Sequence, residues 1–166
     1  MSTPHSAPKT VRIGFLSGIR HAVPYAEILA ANPAVQLVGI AEERDAPGWM
    51  QEDSVKAAQA ASIPFIGDVN ELLDPDIVDA VIICSEPTRH SRLATAALKA
   101  GLHVLIDTPA ATSVADVDAL SAAETASTTT LSVINRLHSP AVQRLRRWVD
   151  AGHLGLPLHI DVEWFA

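Results

Sequence analysis

What most constrains this chain is a recurrence. Short apolar runs rich in β-branched residues return along its length: VRIGFL (11–16), VQLVGIA (35–41), IPFI (63–66), VDAVIIC (78–84), HVLI (103–106) and TLSVI (130–134). Several are almost continuously hydrophobic, as expected of strands covered on both faces. The segments between them carry helix punctuation. Asp68 with Glu71, and Ser113 with Asp116, have the spacing of a capping box, in which a polar side chain satisfies a first-turn N–H. Ser139 followed by Pro140 reads as an N-cap with proline at the first helical position. Gly101 and Gly152 fall where helices end, since glycine tolerates the left-handed conformation, and Asn32-Pro33 closes the first helix. Strand and helix in alternation require crossover connections, so the chain reads as a doubly wound parallel α/β sheet.

Composition narrows the function classes. At 166 residues the chain is long enough for one domain with a core and short for two. Its net charge of -7 argues against a nucleic-acid surface, and the locally basic RLRRWVD (144–150) reads as the solvated face of a helix. No apolar run is long enough to span a bilayer. The polar opening MSTPHSAPKT, with two prolines, reads as a disordered leader (1–10), and the expected location is cytoplasmic. The single cysteine, Cys84, excludes an internal disulfide or a cysteine-built metal site and is expected to pack as a small apolar side chain.

In doubly wound sheets ligands sit at the carboxyl ends of the strands, so the residues just after each apolar run carry the functional information. After the first run comes SGIRHA. A dinucleotide turn of the form G-x-G-x-x-G would place glycines where this chain has Ser17, Ile19 and Ala22, with Gly18 displaced by one. If Ile19 had to adopt positive φ it would cost roughly 1–3 kcal/mol, so Ser17, Gly18 and Ile19 form either an altered nucleotide turn or a plain structural one. Glu42 follows the second run, beyond the usual offset of roughly 20 residues, where an acid would accept hydrogen bonds from an adenosine ribose. Such a carboxylate repels a 2′-phosphate and favours NAD over NADP, with Arg44 weakening the preference; alternatively Glu42, Glu43 and Arg44 are a solvated loop. Ser85, Glu86 and Pro87, then Asp107, Thr108 and Pro109, each fix a loop over the sheet edge, and Asn135 follows the last run. His90 is a ligand contact or a residue in the first turn of the next helix.

The final stretch LHIDVEWF (158–165) alternates apolar and polar residues, the pattern of a strand with one wet face. With nothing further to pair with, it would be an exposed apolar edge. The expectation is a chain that continues, or a sheet completed by another subunit.

The segment 71–113 resembles one family, the Gfo/Idh/MocA oxidoreductases, which include glucose–fructose oxidoreductase and inositol dehydrogenase. The resemblance is carried by LLDPDIVDAV, SEPTRH, ALKAGLHV and DTP, and NRLHSPAVQRLRRWVDAGHLGLPLHIDVEW is similar to the family's passage into a second domain. It implies a Rossmann domain over 11–137 that binds a nicotinamide cofactor, then the linking helix and first strand of a second α/β domain over 138–166. That second domain's sheet forms the substrate floor and an oligomer interface, and the implied substrate is a sugar or polyol. In active members a Glu-Lys-Pro lysine orients substrate and cofactor, and a histidine in the second domain serves as acid or base. Here Thr108 stands at the lysine's position and Asp107 at the glutamate's. A threonine hydroxyl keeps neither the charge nor the reach of an ammonium, so no catalytic residue is assigned from the sequence. Three readings follow: an NAD(H)-dependent oxidoreductase domain acting on a sugar or cyclitol hydroxyl, a non-catalytic relative used for sensing or assembly, and a domain whose edge strand mediates dimerisation.

Overall fold

The computed structural model describes residues 10–133, 138–159 and 161, in two compact units that divide between Val133 and Ile134. The first unit contains β1 (Val11–Leu16), β2 (Val35–Ala41), β3 (Phe65–Ile66), β4 (Ala80–Ile83), β5 (His103–Ile106) and β6 (Thr130–Ser132). All pair in parallel, in the order β3-β2-β1-β4-β5-β6. The chain therefore winds outward from β1 to β3, returns to the centre, and winds outward again from β4, leaving a switch point between β1 and β4.

Why the strands read as continuous apolar runs is visible in their two faces. Phe15, Ile40, Ile82 and Cys84 pack with Ala22 and Ala26 of α1 (Ala22–Ala30) and with Ala57 and Ala58 of α2 (Gly48–Ala61). Their alternates Leu16, Ala41, Ile83 and Ile106 pack with Leu93, Ala94, Ala97 and Leu98 of α3 (Pro87–Lys99) and with Leu120 and Ala123 of α4 (Val114–Ala123). Successive residues point to opposite faces, and both faces are covered. Cys84 is fully buried, and burial foremost pushes its thiol pKa up, as expected of a packing cysteine.

The boundaries show which local signals held. Ser113 Oγ accepts from Asp116 N at 3.1 Å and opens α4, and Gly101 takes φ +85° just past α3. Asp68 accepts from Asn70 N at 2.9 Å but opens only the short 3-10 turn Val69–Glu71, not a full helix. The run 63–66 pairs only from Phe65, because Pro64 has no N–H for the ladder, though its carbonyl accepts from Ile40 N at 2.9 Å.

In the second unit, α5 (Pro140–Asp150) begins at the expected cap, with Ser139 Oγ accepting from Val142 N at 3.3 Å. Arg144, Arg146 and Arg147 are exposed, and the Arg144 guanidinium lies 4.8 Å over the Trp148 ring, so the basic cluster is a solvated helix face. Leu158, His159 and Asp161 are not in a strand, contrary to the alternating pattern of 158–165; the rest of that segment lies outside the described residues, as do Asn135 and residues 1–9. No partner strand for them occurs among the described residues, and backbone without a ladder does not register as β.

Candidate active site

The turn after β1 is built around a buried acid. Ser17 Oγ donates to Glu42 Oε2 at 2.6 Å, Ser54 Oγ donates to the same oxygen at 2.7 Å, and Glu43 N donates to Oε1 at 3.0 Å. Gly18 N in turn donates to Ser54 Oγ at 2.8 Å. The carboxylate of Glu42 is wholly buried, so it is neither part of a solvated loop nor presented to an incoming ribose. It ties the turn to α2, and the electrostatic argument against a 2′-phosphate does not run through its side chain. Glu43 is buried too, held by Arg89 at 2.7 Å and by Arg92, leaving Arg44 as the exposed member of the triplet, paired with Asp68 at 2.8 Å.

Gly18 is needed for closeness rather than for φ. A Cβ there would stand 2.8 Å from Ser54 Cα and 3.0 Å from Ile40 Cγ2. Positive φ falls on Ser17 (69°) and Arg20 (59°), and Ile19 is buried, so the strain anticipated at Ile19 does not arise. His21 is the N-cap of α1, yet its side chain makes no capping bond and the first helical turn holds no acid.

That side chain turns instead to the end of β5. Asp107 is wholly buried, and its Oδ2 lies 2.7 Å from His21 Nδ1 and 3.6 Å from Arg20 Nε. Its Oδ1 accepts from Tyr25 OH at 3.0 Å and from Thr108 N at 2.9 Å. Burial alone would raise the Asp107 pKa, but the bonds from His21, Tyr25 and Thr108 outweigh it and hold the carboxyl below its ordinary value. Tyr25 moves the other way: burial first, and then the bond to Asp107, raise its phenol. Thr108 is exposed and precedes a cis peptide to Pro109.

His90 lies in the first turn of α3, fully buried, with Nδ1 at 2.7 Å from the Pro109 carbonyl and Nε2 at 2.8 Å from the Ser85 carbonyl. It therefore clamps the two loops together and faces no ligand. Glu86 is the N-cap of α3 without a side-chain cap bond, and Pro87 is its first residue. Ser85 Oγ is buried and has no hydrogen-bond partner among the described residues. An unsatisfied Ser85 hydroxyl at the carboxyl edge, the uncapped start of α1 with no acid in its first turn, and Arg20 just before it fit an anionic, hydrogen-bonding cofactor at the switch point. A separate apolar groove of about 410 Å³, lined by residues such as Leu29, Ile82, Leu105 and Leu131, opens beside α1 on the sheet, with Tyr25 on its wall. It lacks the convergent polar groups that a dinucleotide requires.

Sequence reasoning missed His21, Tyr25 and Ser54. Ser54 had a legible signal, being the one polar residue on the buried stripe Met50, Ser54, Ala57 and Ala58 of α2. His21 and Tyr25 had none, since their partner lies far along the chain.

Comparison with known proteins agrees with this geometry. Residues 11–135 match the Gfo/Idh/MocA oxidoreductase family, NAD-binding Rossmann fold. The chain is 33% identical over 91 residues to myo-inositol 2-dehydrogenase of Thermotoga maritima, covering 54% of this chain and 27% of that protein. It is 28% identical over 152 residues to inositol 2-dehydrogenase 1 of Saccharopolyspora erythraea, covering 90% of this chain and 44% of that one. Among solved structures, UDP-N-acetylglucosamine 3-dehydrogenase GnnA from Acidithiobacillus ferrooxidans superimposes with a TM-score of 0.70 at 26% identity, over 83% of this chain and 43% of its own. The chain thus spans less than half the length of these relatives. With a switch point, loops and fold of this kind, the chain is an NAD-binding Rossmann domain of the Gfo/Idh/MocA oxidoreductase family.

Proposed function

We propose that this chain is the cofactor half of a nicotinamide-dependent dehydrogenase that oxidises or regenerates a secondary hydroxyl on a sugar or cyclitol. The observation that carries the reading is the family match over residues 11–135, whose strand ends bring the loops after β1, β4 and β5 to one edge. The names of the inositol and UDP-sugar dehydrogenases above support the substrate class. A bound nicotinamide supplies hydride transfer.

This chain's residues hold and orient the cofactor. The backbone of Ser17, Gly18 and Ile19 lines the α1 end, Ser85 to Pro87 and Asp107 to Pro109 form the opposite wall, and Ser85 Oγ offers a free donor. Glu42 and His90 act one step back, fixing the loops whose residues touch the ligand. A second α/β domain beginning near residue 138, homo-oligomers formed through its sheet, and a cytoplasmic place of action complete the reading. The last fits a single buried free cysteine.

Calorimetric titration of the chain with NAD and NADP tests this directly. Saturable binding of NAD is expected. Failure of both dinucleotides to bind at millimolar concentration would overturn the reading.

A further inference from the structure

We propose that His21, oriented by Asp107, takes the substrate's proton beside the loop in which Thr108 offers no ammonium. The inference rests on the nicotinamide-dependent reading above. A carboxylate only accepts, so the 2.7 Å contact from Asp107 places a proton on His21 Nδ1. In the neutral ring Nε2 then carries the lone pair. Nε2 has no partner among the described residues, and the His21 side chain is 44% exposed. Asp107 cannot swing away from this duty, because its other oxygen is held by Tyr25 OH and Thr108 N.

The contrast with His90 separates this arrangement from ordinary packing. Both nitrogens of His90 face carbonyls in a fully buried pocket, leaving none to react. His21 is bound on one nitrogen and open on the other. It also stands where β1 hands over to α1, at the switch point, with its side chain withdrawn from the cap position that it occupies.

The substrate O–H bond breaks and its proton goes to Nε2, while the C–H bond on the same carbon breaks and its electron pair leaves with hydrogen as hydride to the oxidised nicotinamide dinucleotide. A C=O bond forms, and the imidazolium, balanced by the Asp107 carboxylate, returns its proton to solvent. The charged or titratable groups around His21 are Asp107 at the end of β5, Arg20 in the turn, Tyr25 on α1, and the buried Cys84 thiol behind Asp107.

The test uses the charge of the cofactor ring. The oxidised nicotinamide is cationic and the reduced one neutral, so only the former disfavours an imidazolium beside it. Binding of NAD⁺ and of NADH is measured calorimetrically near pH 6.5 in buffers of different ionisation heat, which reads the protons exchanged. NAD⁺ is expected to expel a larger fraction of a proton than NADH. His21→Asn, which keeps a donor for Asp107 and loses the titratable nitrogen, should abolish the difference. Equal exchange for the two cofactors in the wild-type chain, or a difference that survives in H21N, would overturn the proposal while leaving cofactor binding intact. Absence of binding by the wild-type chain overturns the nicotinamide reading and this inference with it. Should H21N not fold, ring ¹⁵N shifts of wild-type His21 at pH 8.5 decide: a proton on Nε2 rather than Nδ1 sinks the idea.

Discussion

Two wholly buried carboxylates stand at the carboxyl edge of the sheet, Glu42 after β2 and Asp107 after β5, and they are put to opposite uses. Both accept hydrogen bonds on each oxygen. Around Glu42 the donors are Ser17, Ser54 and the Glu43 amide, all buried, so its network closes on itself. Around Asp107 the donors include His21, whose side chain is nearly half exposed, so the network ends at a titratable group in contact with solvent. A buried acid at a ligand-binding edge is therefore not in itself a mark of chemistry. What matters is where its chain of hydrogen bonds ends.

Removing the acceptor of the closed network should cost the most stability. Glu42→Leu leaves two hydroxyls and an amide without their acceptor in a packed interior, and a loss of about 3 kcal/mol is expected in urea unfolding. A loss under 1 kcal/mol would show that Glu42 is not the tie between the opening turn and α2.

At the open network the effect is smaller and depends on pH. Asp107→Asn keeps the shape and removes the charge, with an expected loss of about 1–2 kcal/mol near neutrality. The sign follows from the depressed carboxyl: a group whose folded value lies below its unfolded one stabilises fully above about pH 4 and loses that contribution as pH falls through the folded value. Urea midpoints of the wild type should thus decline more steeply on the acid side than those of D107N, and parallel declines would contradict the assignment.

Tyr25→Phe probes the least of the three. It removes one neutral donor from Asp107 and leaves the His21 contact, so about 0.5–1.5 kcal/mol is expected from melting curves. If the loss matched that of D107N, Tyr25 rather than His21 would be the main support of the carboxylate.

Local signals were enough for most of the elements, though not for the helix expected after Asp68 or the strand expected from Leu158. Runs such as VRIGFL and HVLI form strands because both faces of a parallel sheet are covered, and the Ser113 and Ser139 caps act within a few residues of themselves. The family, too, was legible from 71–113, since its motifs are contiguous. Failures came where a long-range partner overruled a local reading. Glu42 looks like a ribose acceptor until Ser54 of α2 folds against it, and Ile19 looks strained until positive φ falls on Ser17 and Arg20 instead.

By itself, then, the order of apolar runs and caps determined a doubly wound sheet and the loops that must line its ligand edge, because hydrophobic period and capping act over a few residues. Only tertiary structure decided which acids at that edge are closed off and which is open. That choice rests on pairs such as His21 with Asp107, distant in sequence and brought to 2.7 Å by the packing of α1 beside the ends of β4 and β5.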